Sequence, residues 1–453
     1  MKLVKLLSFN AAIIVLLASF GFSQAISGDL VGTVTDTTGA VVPNAPVTVT
    51  NVATGVTTSG KTNANGEYRF TNLPIGSYNV DVTATGLQGG LRNVAVQLNK
   101  TATANVTLQV GTSTTTVEVS AQGTTIDTTT PQIQTNYEIK QAQDLPTAAI
   151  GVGVINLSLL NPGVANSGGI GLGVGPTIGG QRPRNNNFTI EGVDNNNKSI
   201  TGPLVFIPND AVQNFSVLQN QYSPEFGHSS GGQFNTVVRS GTNSFHGIIY
   251  EYFQNRNLNA IDAATARNGN KENPRYDQNR VGGQLGGPIV RDKVFFFSNF
   301  EYNPVAYGIS SQVCAPTAGG YATLNTIPGL SQTNLQQFRK YVPAGTIPDT
   351  ANVACVAPTE DITNPSAAGG VTPIDVALVP ITGSTFTNQY YSTNSVDFNL
   401  SEKDQLRGRY IYNRNNGLDA QASLPVFYNI EPQRFHLLTL SEYHNFSPSV
   451  NNE

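Results

Sequence analysis

Beyond Ser244 apolar and polar side chains alternate with a period of two residues, and this pattern constrains the fold more than any other. Period two is the signature of a pleated β-strand with one apolar face. Across 294–302, Val294, Phe296, Phe300 and Tyr302 share one face, and Asn299 and Glu301 take the other. Across 395–400, Val396, Phe398 and Leu400 alternate with Ser395, Asp397 and Asn399; across 405–412, Leu406, Gly408, Tyr410 and Tyr412 alternate with Gln405, Arg407 and Arg409. A soluble sandwich shows the same period, so the connections have to decide. Val290-Arg291-Asp292-Lys293 and Ser401-Glu402-Lys403-Asp404 read as tight turns, whereas a long Pro/Gly-rich loop is expected from Asn303 to Asn388. Brief turns alternating with long loops is the asymmetry of a transmembrane β-barrel, with turns in the periplasm and loops outside. The first strand is expected at His246 to Gln254, running outward.

The other end of the chain agrees on the compartment. Lys2 and Lys5 precede an apolar run from Leu6 to Phe22, and Ser23-Gln24-Ala25 supplies small residues where a signal peptidase reads. Residues 1–25 therefore read as a secretory signal. The run is too short for a spanning helix and no later stretch approaches one. A mature chain that lives in a membrane must then close a barrel, the other way to satisfy backbone groups in lipid. Only 12% of residues are charged, against roughly 25% in a soluble domain. With 45 Gly, 25 Pro and no Trp, the composition is mainly β. A net charge of -4 leaves no basic stripe for nucleic acid. Cys314 and Cys355 could pair in an oxidising compartment, constraining the unfolded chain by roughly 4 kcal/mol. Spacing alone leaves two unpaired thiols as the alternative.

From 26 to 110 short strand-like runs alternate with turn signals: Val47 and Val49 against Thr48 and Thr50, Tyr68 and Phe70 against Glu67 and Arg69, and Tyr78, Val80 and Val82 against Asn79 and Asp81. Asn65-Gly66 reads as a hairpin turn and Leu73-Pro74-Ile75-Gly76 as a break. Such strands make a small sandwich. NANGEYRFTNLPIGSYNV (63–80), with GTVTDTTGAVVPNAPVTV (32–49) before it, resembles the carboxypeptidase regulatory-like domain, a transthyretin-like β-sandwich related to carbohydrate-binding folds. That name implies no peptidase, and the chain lacks a zinc-peptidase ligand pair.

A Thr-rich linker follows at 111–130. Within it Thr116-Val117-Glu118-Val119-Ser120-Ala121 resembles the TonB box of TonB-dependent receptors, a stretch that TonB captures by strand addition; the last strand of the sandwich is the competing reading. From 131 to 240 the pattern is mixed. Val152 to Leu160 is expected as a short helix ended by Asn161-Pro162-Gly163, and a Gly-rich loop runs from Gly168 to Gly180. FTIEGVDNNN (188–197), PNDAVQNFSVL (208–218) and YSPEFGHSSGGQFNTVVRSGTNSFHG (222–247) resemble the plug of TonB-dependent receptors and the start of the barrel, closest to the Oar-like group; GGQLGGPIVRDKVFFFSNFEY (282–302) resembles the same group. TAAIGVG after Asp144-Leu145-Pro146 departs from the polar turn usual there.

Chemistry is mostly excluded. Gly227-His228-Ser229-Ser230-Gly231 fits a nucleophile elbow, but a strand, Gln233 to Val238, follows where a helix is required. Gly171-Leu172-Gly173-Val174-Gly175 lacks the βαβ unit of a dinucleotide loop. Glu191, Asp194 and Asn195-Asn196-Asn197 do not match a calcium loop, and His228, His246, His436 and His444 show no ligand spacing. No enzyme, cofactor or metal is expected.

The expected architecture is mainly β: a sandwich at 26–110 in the periplasm, a small α/β plug at 131–240, and the first strands of an incomplete barrel at 241–453. About six strands are placeable, where the family's barrels have about 22, so an N-terminal portion is the simplest account. The resemblance implies a receptor in the cell outer membrane, contacting its lipid, that imports a scarce small solute (siderophore, oligosaccharide or peptide) when TonB acts on the plug. Arg182 and Arg184 are candidate solute ligands if the solute is anionic. The alternative is a secreted adhesion or carbohydrate-binding structural protein.

Overall fold

The computed structural model describes residues 26–110, 131–145, 153–166, 176–198, 202–223, 226–261, 272–349, 354–355, 357–419, 424–447 and 450–452. The signal expected at 1–25, the linker expected at 111–130 and the TonB-box-like stretch 116–121 lie outside the described residues, as does most of the Gly168–Gly180 loop.

The first unit packs two sheets. One holds β1 (Gly28–Thr35) between β4 (Glu67–Leu73) and the short β7 (Thr101–Thr103), with β8 (Val106–Thr107) also on β1; the other runs β3 (Thr57–Lys61), β2 (Pro46–Asn51), β5 (Gly76–Ala84), β6 (Leu87–Val96), β9 (Gln109–Val110). Alternate residues of β1, β2 and β5 turn inward, so Leu30, Val34, Val47, Val49, Val80 and Val82 form the core with Tyr68 and Phe70. Burying each is worth roughly 1.5–3 kcal/mol. The Asn65-Gly66 turn is not a hairpin. Gly66 takes φ 71°, but β3 and β4 lie in different sheets, so the turn carries the chain across the sandwich. Local turn chemistry specifies the reversal, not the partner.

The second unit is a five-stranded mixed sheet ordered β10 (Ile133–Glu138), β15 (Val212–Asn220), β16 (Gln233–Val238), β13 (Asn187–Ile190), β14 (Val193–Asp194), with β13 and β16 parallel. Helix α1 (Ile139–Asp144) packs on β15, and β11 (Val164–Asn166) pairs with β12 (Pro176–Ile178). The helix expected at 152–160 is a 3₁₀ segment, Gly153–Leu160. It opens on Gly153 at φ 51°, and its Val154 and Ile155 are β-branched, which lowers α-helical preference.

The third unit is one large antiparallel sheet: β17 (His246–Asn255), β18 (Tyr276–Val290), β19 (Val294–Pro316), β21 (Val371–Asn399), β22 (Asp404–Asp419), β23 (Asn429–Ser447) and β24 (Val450–Asn452), with β20 (Thr359–Thr363) on β21. The segment expected as an 86-residue-scale loop is largely ordered. β19 and β21 stay paired from Val294↔Phe398 to Pro316↔Val376, so much of it is strand. Between them α2 (Ala318–Thr326) and α3 (Gln332–Tyr341) pack a small core of Tyr321, Leu324, Ile327 and Ile374, and a disulfide joins Cys314 to Cys355. Pro and Gly in that stretch obscured the alternation.

Candidate functional site at the inner face of the barrel wall

Burial in the third unit is inverted relative to a soluble sheet. Ile249, Leu438 and Leu440 point outward at 91, 76 and 72% exposure, whereas Asn299, Glu301 and Arg409 are 1, 2 and 3% exposed on the opposite face. Leu285, Phe300 and Val396 share the outward face at 51, 53 and 49% exposure. The inward face is polar and covered by the second unit, with Phe297 and Ile411 joining that unit's core. Exposed apolar patches of this extent mark contact with lipid or a partner. A polar concave face behind them is the barrel pattern.

Two buried ion networks hold the inner sheet to the wall. Glu191 sits at φ 51° between β13 and β14, followed by Gly192 at φ 72°, and this tight reversal aims its carboxylate outward from the sheet. Its Oε1 accepts the Val238 amide at 2.7 Å and lies 3.4 Å from Arg409 Nε on β22. Arg409 Nη1 in turn donates to Asp397 Oδ1 on β21 at 2.6 Å, and Ser240 hydrogen-bonds the same carboxylate. The second network centres on Arg280 of β18. It grips Glu301 of β19 through Nε (3.2 Å) and Nη2 (2.9 Å), and Nη2 lies 4.0 Å from Asp210 of the inner unit. Asp210 is also reached by Gln143 (3.0 Å) and by the Tyr252 hydroxyl (3.2 Å), and the Tyr250 hydroxyl donates to Glu301 (3.1 Å). Each network sets two carboxylates on one guanidinium. Such a centre fixes register strongly because either partner alone would be an uncompensated buried charge. A third clamp is neutral: the Asn413 amide accepts the Phe206 N–H at 2.6 Å and donates to the Phe206 carbonyl at 3.0 Å.

The chain crosses from sheet to wall at Arg239–Asn243, where the Ser395 hydroxyl donates to the Arg239 carbonyl at 2.8 Å. Gly241 passes so close to the strands that a Cβ would lie 2.3 Å from the Phe296 carbonyl oxygen. The sandwich seats below this crossing. Asn243 donates to the Thr54 carbonyl (2.6 Å) and to Asp292 of the β18–β19 turn (2.7 Å), and Ile26 and Leu98 pack with Val237 and Tyr443. A cavity of about 390 Å³ remains between the three units, bordered by Asn51, Tyr78, Ser240, Thr242, Asp397 and Arg407. Burial raises the Tyr78 phenol to about 12, against the smaller opposing effects of Asn51 and Arg407.

The sequence-derived candidates fall elsewhere. Arg182 and Arg184 flank Pro183 in a 3₁₀ turn, and both are exposed. The Ser229 hydroxyl lies 2.7 Å from the Asn185 carbonyl, 44 residues away in sequence, and serves that turn. Asn195 forms paired bonds with the Val205 backbone, both 2.9 Å, which accounts for part of the Asn run. His444, scattered in sequence, meets Asp404 and Glu442 with ligand atoms within 4.8 Å of one another because β22 and β23 pair Asp404 with His444. Its imidazole is hydrogen-bonded to Asp404, and that pair accounts for the approach. Sequence reasoning missed Arg280, Asp210 and Arg409 as a site. The available signal was charge on the inward parity of strands otherwise bearing Asn, Gln and Ser.

An apolar outer band, a polar inner wall and a globule seated against that wall define an outer-membrane β-barrel protein. Residues 237–453 match the family described as outer membrane beta barrel domain, and residues 29–109 match the carboxypeptidase regulatory-like domain. The chain is similar to the TonB-dependent transporter Oar of Myxococcus xanthus, 28% identical over 299 residues, which is 63% of this chain and 27% of that protein. It thus spans about a quarter of the length of this curated relative. Among solved structures, the outer membrane transporter YddB of Escherichia coli is similar at 11% identity and TM-score 0.44, over 69% of this chain and 37% of that one. The siderophore receptor PirA of Acinetobacter baumannii is similar at 14% identity and TM-score 0.36, over 69% and 45%. The curated protein this chain matches is described as a transporter.

Proposed function

We propose that the chain belongs to a TonB-dependent transporter, with residues 131–240 as its plug and Thr116-Val117-Glu118-Val119-Ser120-Ala121 as the TonB-binding stretch. The observation that supports this reading is the inner sheet held to the polar wall by Glu191–Arg409–Asp397 and Asp210–Arg280–Glu301. A pore filler must be fixed at rest yet releasable. Ion networks suit that role, since the attraction of a buried pair is largely offset by the water its charges regain on release, whereas loss of one partner alone is costly. TonB would favour a displaced or remodelled inner sheet over the seated one, shifting a two-state population. The solute is a scarce small molecule, siderophore, oligosaccharide or peptide, admitted from outside. Arg182 and Arg184, exposed on the inner unit, would meet an anionic one.

The test is crosslinking in the native host. With Val117→Cys in the full-length protein, outer-membrane fractions should yield a disulfide-linked product with a TonB carrying a reporter cysteine. A protein found outside the outer membrane, or one that gives no product at any position from 116 to 121 while uptake continues, would overturn the reading.

A further inference from the structure

The outer rim of the wall carries a like-charge pair that the transport reading does not use. Arg414 of β22 lies directly opposite Arg434 of β23. Strand parity turns both outward, since Arg409 and Asn413 are buried on the inward face while Tyr410 and Leu438 are exposed. Like charges directly across a ladder destabilise it unless something neutralises them. Among the described residues neither guanidinium forms an ion pair. Arg414 Nε is buried without a hydrogen-bond partner, and its guanidinium carbon stands 5.7 Å above the Tyr390 ring.

Height along the wall says what could neutralise the pair. Arg414 follows the short turn before Asp404 by about 33 Å of strand, or about 25 Å of height at a tilt near 40°, which is the height of a barrel's apolar band. Aromatic rings mark the same level: Tyr302 stacks on Tyr390 at 4.7 Å, and Tyr412 lies 4.9 Å from His436. The pair therefore stands where the outer-leaflet headgroups begin, at the level of the aromatic girdle.

We infer that Arg414 and Arg434 form a binding site for the phosphate of an outer-leaflet lipid headgroup. A phosphate oxygen fork offers both guanidinium planes charge-assisted bonds, supplies the missing countercharge, and leaves the acyl chains on the apolar band below. The inference rests on outer-membrane placement and not on transport.

The test uses the full-length protein in a zwitterionic detergent, with lipid retention read by native mass spectrometry. The probes are a diphosphorylated glucosamine disaccharide lipid, its dephosphorylated form, and inorganic phosphate. Wild type should retain the phosphorylated lipid in preference to the other two. The double variant Arg414→Gln, Arg434→Gln should bind it roughly thirtyfold more weakly, the product of two surface cation contacts. Arg414→Lys, Arg434→Lys, which keeps both charges and the fold, should retain most of the binding. Equal retention by the glutamine variant, equal binding of the dephosphorylated lipid, or inorganic phosphate displacing the lipid at matching concentration would each overturn the site.

Discussion

Arg409→Gln is the sharpest test of how the inner sheet is held. Arg409 is 3% exposed and stands between Asp397 and Glu191, so its removal leaves two buried carboxylates without their ion-pair partner. Breaking a buried pair by deleting one partner costs about 3–5 kcal/mol. At about 1.4 kcal/mol per tenfold, the seated state should lose between a hundredfold and a few thousandfold of its preference over the released one. Hydrogen exchange in the folded protein reads this directly. Amides of β13 and β16 should lose protection by that factor, with Val238 most affected because its N–H is bonded to Glu191. Amides of the sandwich core at Val47 and Val80 should not change. Adding Glu191→Gln removes one orphaned charge and should restore part of the loss. Protection in β13 and β16 within about threefold of wild type would refute the reasoning, as would an equal loss throughout the sandwich.

Asn243→Ala removes bonds to Thr54 and Asp292 and should loosen the sandwich from the wall by about 1–2 kcal/mol, seen as faster proteolysis near residues 51–56. Burial raises the phenols of Tyr68 and Tyr78, the latter to about 12, so the folded state favours their neutral forms. That contribution is complete below the unfolded value near 10 and is lost as pH rises toward 12. Circular dichroism should show sandwich stability falling above about pH 10, and a flat profile to pH 12 would contradict it. Replacing Cys314 and Cys355 by Ser should cost the outer subdomain about 4 kcal/mol for a separation of 41 residues, read as proteolysis within 317–370 while the wall persists. Leu438→Arg on the outward face should destabilise membrane insertion by about 2–4 kcal/mol in a folding titration into vesicles.

Much of this architecture was legible because period two survives wherever one face is mostly apolar. Val294, Phe296 and Phe300 against Asn299 and Glu301 gave the wall, and Val47 and Val49 gave the sandwich. Partners were less legible. Asn65-Gly66 specifies a reversal, yet the strands it joins enter different sheets because their apolar faces must oppose each other. The ion networks were invisible as units: Glu191 and Arg409 lie far apart in sequence, and only the seating of one unit on another brings them within 3.4 Å. The strand extensions past Asn303 were lost to Pro304, Pro373 and Pro380, residues a sheet edge or a bulge can tolerate but which interrupt any alternation count.

The β19–β21 hairpin has its own consequence. Its 23-residue strand β19 measures roughly 75 Å at about 3.3 Å per residue, and the apolar band consumes only about 10 residues. Some 40 Å of paired strand is left over, a mast that carries the disulfide-tied helices well clear of the bilayer. Bodies too bulky to approach the membrane surface would meet that masthead first.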